Sequence, residues 1–206
     1  GGGFGQTANL RQKYTGILDA GQIRTFKIAF QNEGVTDNGG PYRELFSHFC
    51  DELQSEVLSL LVPCPNARAG SGSHLEAYVF NARAKSQQDL DLFHFMGQMI
   101  GVAIRCDIPM EFAWPKFVWK RLVGIDPVLD DIKAVDTNFF VETLEAVDSA
   151  TDEASFNERF SDLVFAVYTF DGQELVDLVE GGSEKQVTFQ TRHEFVEKVR
   201  AFKLQE

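Results

Sequence analysis

Three observations predict an α+β chain with a mainly helical larger part and a smaller mixed part. Apolar residues at helical spacing dominate up to about residue 125, β-forming runs broken by glycine turns gather near the C-terminal end, and the whole charge surplus lies beyond residue 125. Of the 206 residues 44% are hydrophobic and 19 are Phe, enough for a sizeable core in one ordinary domain or two small ones. Phe has no polar edge to satisfy, so most of these rings must be buried or await a partner. Residues 1–125 hold 12 acidic and 12 basic residues, whereas 126–206 hold 19 and 7, which accounts for the net charge of -12. An acidic surface repels phosphate backbones and anionic lipid headgroups, which sets nucleic acid and membrane surfaces aside, and it attracts a basic protein surface. A solvated acidic face that serves solubility fits the same count.

Residues 1–21 are set apart as a leader and N-terminal segment. Gly1-Gly2-Gly3-Phe4-Gly5-Gln6 lacks the charged start and apolar middle of a signal peptide. Arg24 to Phe30 alternates, with Phe26, Ile28 and Phe30 on one side, and reads as a half-buried strand. Residues 32–41 are crowded with turn formers, after which Leu45, Phe49, Leu53, Val57 and Leu60 repeat at helical spacing. The Pro-, Gly- and Ser-rich stretch 62–74 reads as a loop, and Leu75 to Phe80 as a short strand. From Asp89, the positions Phe93, Met96, Ile100, Ala103 and Ile104 trace a nearly all-round apolar helix, which should be central. Gly97 and Gly101 in it should let another helix come close. Phe112 to Val123 predicts a further helix, ended by Gly124 and Pro127. The longest apolar run, Phe95 to Ile104, is about half of what a membrane span needs.

A boundary is expected near residue 134, giving a large subdomain over 22–134 and a small one over 135–206. In the small part Thr137 can cap a helix whose Phe140, Leu144 and Val147 share one face. Leu163 to Phe170, Glu174 to Val179 and Gln186 to Phe189 read as strands parted by Asp171-Gly172 and Gly181-Gly182. Thr191-Arg192-His193-Glu194 fits a capping box ahead of Phe195, Val199 and Phe202.

Nothing in the chain asks for a metal or another cofactor. His48, His74, His94 and His193 have no Cys or carboxylate at zinc-ligand spacing, and residues 34–40 lack the Gly-Lys-Ser/Thr ending of a phosphate loop. Three irregularly spaced Cys make no disulfide framework and suit a reducing compartment, the cytoplasm or nucleus. Cys50 and Cys106 sit in or beside apolar helical runs and read as small buried hydrophobes; Cys64, between two prolines, reads as exposed. The faces Phe140/Leu144/Val147 and Phe195/Val199 suit a core, yet about 70 residues cannot fully enclose so many large apolar side chains, which leaves room for an exposed groove.

The run Glu33-Gly34-Val35-Thr36-Asp37-Asn38-Gly39-Gly40-Pro41-Tyr42-Arg43-Glu44-Leu45-Phe46 resembles the opening signature of the HECT domain of ubiquitin ligases. Phe93-x-Phe95-Met96-Gly97 with Gly101 and Ala103 is similar to that domain's central helix. Val135-Asp136 with Phe140 to Leu144, Gly181-Gly182-Ser183 with Val187-Thr188-Phe189, and Glu194-Phe195-Val196-Glu197 resemble later elements in the same order. Trp119-Lys120-Arg121-Leu122 and the closing segment from Phe195 look most like ligases of the large HERC type.

The resemblance spans roughly 22–206 and implies most of the domain's N-lobe. It also implies a relay in which a ubiquitin-charged conjugating enzyme docks on the small subdomain and ubiquitin passes to a cysteine of a C-lobe. That cysteine's Thr-Cys-Phe motif does not occur in these 206 residues, so no catalytic residue is carried over and the chain alone is expected to be inactive. By the same resemblance the docking groove falls on Phe140, Leu144, Val147, Leu163, Phe165, Phe195 and Val199, with Phe140 preferred to Phe139 by its helical spacing. The expected partners are a conjugating enzyme directly and ubiquitin indirectly. A non-catalytic scaffold that binds ubiquitin or an adaptor stays open, as does a thiol enzyme using Cys106.

Overall fold

The computed structural model describes residues 17–19, 22–24, 26, 40–55 and 57–206. In chain order the strands are β1 (Ile17–Asp19), β2 (Gln22–Arg24), β3 (Leu61–Pro63), β4 (Tyr78–Phe80), β5 (Ala166–Tyr168) and β6 (Leu175–Asp177). The helices are α1 (Gly40–Leu53), α2 (Pro65–Ala69), α3 (Gln87–Arg105), α4 (Lys116–Leu122), α5 (Leu129–Lys133), α6 (Glu145–Asp148), α7 (Glu153–Arg159) and α8 (Arg192–Gln205). A π-helical segment, Asn138–Leu144, runs directly into α6, and a 3-10 turn covers Gly182–Glu184. Each strand pairs antiparallel with its neighbour in sequence, β1 with β2, β3 with β4 and β5 with β6. Helices with short antiparallel pairs make this an α+β chain, as the patterning predicts. Most of the strand expected at Arg24 to Phe30, and most of the turn at 32–41, lie outside the described residues.

The described residues form two compact units, one from those up to 51 with 93–111, the other from those of 52–92 with 112–206. In the first, Phe46 of α1 packs with Met99, Val102, Ala103, Cys106 and Ile108, and Phe49 meets Phe95 edge to face at 5.9 Å. In the second, one continuous core joins Cys64, Ala77 and Val79 to Ile132, Val135, Phe140, Phe165 and Phe195. The subdomain limit placed near residue 134 falls within this second unit.

Several elements differ from expectation for identifiable reasons. The stretch 62–74 is not a bare loop: Pro65 starts α2, with Cys64 held extended at ψ 164 before it, and Gly70 closes it in the left-handed region at φ 64. Its backbone is tied down by Asn66, whose buried amide donates to Ser73 O and Ala134 O at 2.9 Å and accepts from Thr137 N at 2.8 Å. The Thr137 hydroxyl accepts from Asn66 Nδ2 at 3.1 Å and donates to Lys133 O at 3.3 Å rather than capping the next helix. The helix expected from Phe112 begins only at Lys116. Pro115 holds extended backbone before it, and Ala113 O accepts from Tyr78 N of β4. The α1 stripe stops at Leu53, leaving Val57 exposed.

Among the described residues, helix α3 is covered on one side. Met96, Met99, Val102 and Ala103 are buried, Ile104 is 76% exposed, and a Cβ added at Gly97 or Gly101 would meet nothing within 4 Å. In the last third, Gln186 to Phe189 forms only an isolated bridge, Val164 with Gln186. The Thr191 capping box does not form, because the Thr191 hydroxyl turns back to accept from Thr188 N at 2.9 Å.

Candidate functional site

Three elements frame the region to which the resemblance assigns partner docking: the π-helical segment, the β5–β6 hairpin and α8. An α-helix would let only Phe140 share a face with Leu144 and Val147. The wider π-turn, with Glu145 N bonded to Phe140 O, turns both Phe139 and Phe140 toward the same core, their rings edge to face at 5.7 Å. Val141 is left on the outside. In the hairpin the turn at Asp171-Gly172, with Gly172 at φ 67, aligns Tyr168 opposite Leu175. Asp171 fastens this turn. It accepts from Gln173 N at 3.0 Å and from Arg83 Nε at 2.7 Å.

The seven expected groove residues are brought together, but beneath the surface. Phe140, Leu144, Val147, Phe165, Phe195 and Val199 are at most 1% exposed, and Leu163 is half-buried against them. The expectation that part of their apolar area stays wet is thereby corrected. Residues 135–206 do not enclose their core alone, since Cys64, Ala77 and Val79 complete it from the β3–β4 region. The apolar side chains of these three elements that do face solvent went unnoticed in the sequence: Val141 at 47%, Tyr168 at 58% and Leu175 at 43% exposure. The Asp171-Gly172 turn could have exposed the second and third, since it pairs them across the hairpin.

Charge fixes how these elements meet. Lys203 of α8 is buried, donating from Nζ to Tyr168 O at 2.7 Å and to Glu206 Oε2 at 2.9 Å, with the Phe170 ring 4.1 Å away. Glu206 in turn accepts from Phe170 N. Burial pushes the Lys203 ammonium down, opposed by Glu206 and Asp136, and burial pushes the Asp136 carboxyl up, opposed by Lys203.

Nearer the N-terminal end of α8, His193 Nδ1 and Arg200 Nη2 each lie 2.8 Å from an Asp148 oxygen. The His193 hydrogen bond above all, and then Arg200, holds the Asp148 carboxyl below its ordinary range despite partial burial. A depressed folded value means that this contribution is complete above the unfolded aspartate value, about 3.9, and is lost as pH falls from there. Urea midpoints should accordingly fall as pH drops below about 4, and Asp148→Asn should flatten part of that decline. An Asn variant that tracks the wild-type slope throughout would contradict this.

All three cysteines are buried. Cys64, expected to be exposed, is fully buried with Sγ 3.3 Å from His74 O. Burial pushes its thiol up, and pushes that of Cys50 up to about 11. A raised thiol is the opposite of an activated nucleophile. Among the described residues no group of three or more His, Cys, Asp or Glu could hold a metal ion, and no helix is long and apolar enough to cross a membrane.

Residues 47–206 match the HECT-domain (ubiquitin-transferase) family, and the chain belongs to that family. Its relatives include E3 ubiquitin-protein ligase HERC2 of Mus musculus, 31% identical over 183 residues that cover 89% of this chain and 4% of the relative. The human probable E3 ubiquitin-protein ligase HECTD4 is 29% identical over 200 residues, 88% of this chain and 5% of its own length. E3 ubiquitin-protein ligase TOM1 of Saccharomyces cerevisiae is 25% identical over 181 residues, with coverages of 87% and 5%. The chain thus spans 4–5% of the length of these relatives.

Proposed function

We propose that this chain is the part of a HECT ubiquitin ligase's N-lobe that recruits a ubiquitin-charged conjugating enzyme, for transfer to a cysteine outside these 206 residues. The observation that carries the reading is the set of exposed apolar side chains Val141, Tyr168 and Leu175 on the acidic part of a HECT-family chain. In this reading Leu163 joins that set as a contact. Phe140, Leu144, Val147, Phe165, Phe195 and Val199 act from below as the packed bed that holds the contacts in place. Ubiquitin is engaged through the conjugating enzyme, the acidic surface speeds encounter with a basic partner, and the setting is cytoplasmic or nuclear.

The test is titration calorimetry of the chain against a panel of conjugating enzymes. Saturable binding to at least one member is expected. Binding to free ubiquitin with none to any conjugating enzyme would replace the reading with the scaffold alternative. Incubated with activating enzyme, a binding conjugating enzyme, ubiquitin and ATP, the chain should form no ubiquitin thioester, because Cys50, Cys64 and Cys106 are all buried. A reductant-sensitive adduct lost on Cys106→Ser would reinstate the thiol-enzyme reading.

A further inference from the structure

The β5–β6 hairpin is too short to hold its own orientation. Each strand has three residues, and a two-stranded pair is marginal alone in water. Where Tyr168 and Leu175 sit therefore depends on ties to other elements. Helix α8 ties down the β5 limb, with Lys203 Nζ donating to Tyr168 O and Glu206 accepting from Phe170 N. The tip is tied by Arg83, 88 residues earlier in the chain, whose Nε donates to Asp171 Oδ2 at 2.7 Å.

Arg83 reaches out from a fixed main chain. Asn81, buried just after β4, donates from Nδ2 to Ser59 O at 2.7 Å and from its backbone N to Leu60 O at 2.9 Å. Its Oδ1 accepts from Arg83 N at 3.0 Å, and its carbonyl accepts from Ala84 N at 3.0 Å. Only the Arg83 side chain is left to be ordered when the bond to Asp171 forms, which lowers the entropy cost of that bond.

The Asp171 side chain is 3% exposed, and among the described residues its ion pair is with Arg83. Its Oδ1 accepts from Thr169 Oγ1 and from Gln173 N at 3.0 Å. Burial pushes the carboxyl up, but Thr169, Gln173 and Arg83 together outweigh burial and hold it below its ordinary range. The bonds to Thr169 and Gln173 close the turn on itself, whereas the bond to Arg83 leaves it for another element. Arg68 walls the tip, since a Cβ at Gly172 would lie 3.3 Å from its Nη2, but its Nη1 is committed to Pro63 O at 2.7 Å. Gln173 stands two residues before Leu175, so a carboxylate released from Arg83 carries the β6 limb with it. The Arg83 side chain is 51% exposed; water can follow where it leaves, so losing the pair loosens the tip rather than unfolding the unit.

We infer that Arg83 is a positioning residue for the proposed docking face: through Asp171 it fixes the hairpin tip, and with it the place of Leu175 beside Tyr168. What the face binds is taken from the recruitment reading; the geometry is independent of it.

The test uses the full chain and the conjugating enzyme that binds it, with Arg83→Gln, Arg83→Lys, Asp171→Asn and the Arg83→Gln, Asp171→Asn pair. Arg83→Gln should weaken binding at least about tenfold at a nearly unchanged urea midpoint. Arg83→Lys, which keeps the charge but not the planar fork, should recover part of it. The paired variant should lose no more than either single one, because the two residues act as one unit. Amide exchange at Thr169, whose N donates to Glu174 O at 2.9 Å across the hairpin, should quicken about tenfold in Arg83→Gln while exchange in α8 stays unchanged. Lys85→Gln, two residues away, removes the same charge and should bind like wild type. Wild-type affinity and exchange in Arg83→Gln would overturn the proposal, as would additive losses in the pair, an equal loss in Lys85→Gln, or quickened exchange throughout α8 with a lowered midpoint. If no conjugating enzyme binds the wild-type chain, the recruitment reading falls, and exchange at Thr169 alone decides whether Arg83 positions the hairpin: quickened exchange sustains it and unchanged exchange overturns it.

Discussion

Phe165→Ala is expected to lower the free energy of unfolding by about 3–5 kcal/mol, the usual range for removing a fully buried aromatic ring. Phe165 has no solvent exposure, meets Phe195 of α8 edge to face at 5.9 Å, and lies 4.9 Å from Lys185 Nζ. Its backbone is equally committed, since Phe165 N donates to Lys185 O at 2.9 Å and Phe165 O accepts from Leu178 N at 2.8 Å. Gly182 sits so close to this main chain that an added Cβ would lie 2.1 Å from Phe165 O. Urea unfolding should show a lower midpoint with the denaturant slope unchanged. A loss under about 1 kcal/mol would mean that the site collapses after all, and that the bed under the docking face is softer than its packing indicates.

Lys203→Ala is expected to cost about 3–5 kcal/mol, by stranding buried anionic partners rather than by losing a favourable pair. The ammonium is the cation nearest the Glu206 carboxylate, whose side chain is 6% exposed, and it also donates to Tyr168 O. Lys203→Met restores much of the volume but none of the charge, so it should recover only part of the loss. The consequence reaches function: Lys203 fixes the main chain of Tyr168, whose ring belongs to the proposed contact surface. Thermal unfolding of both variants checks this, and a Lys203→Ala protein within about 1 kcal/mol of wild type would show that water enters and solvates the carboxylates.

Periodicity located the long elements because burial on one face is what imposes it. Helices α3 and α8, and the hairpin around Asp171-Gly172, all lie where their apolar spacing and turn residues predict. The readings that failed were those in which a tertiary partner overrode a local signal. Thr191 carries a good cap sequence, yet its hydroxyl is taken by Thr188; Pro65 and Gly70 look like loop formers, yet they bound a helix that Asn66 ties to residues 68 and 71 positions further on. Gly97 and Gly101 permit a close approach, but among the described residues nothing lies within 4 Å of where their Cβ atoms would be.

The candidate site was legible as a neighbourhood and misread as a surface. Helical spacing grouped Phe140, Leu144 and Val147 correctly, but spacing alone cannot say whether a stripe faces a core or a partner. The answer depended on Cys64, Ala77 and Val79, far away in the chain. The π-turn was invisible for a related reason: only a core that accepts both Phe139 and Phe140 makes the extra residue worthwhile.

The most direct measurement of the recruitment reading is the affinity of the Tyr168→Asp, Leu175→Asp double variant for whichever conjugating enzyme binds the wild-type chain. Both positions are exposed and face each other across β5 and β6, so folding should change little, within roughly 1 kcal/mol by urea unfolding. If these side chains are the contact, calorimetry should show binding weaker by about 2 kcal/mol or more, some thirtyfold. Wild-type affinity in the folded double variant would contradict the account and move the docking face off the β5–β6 hairpin.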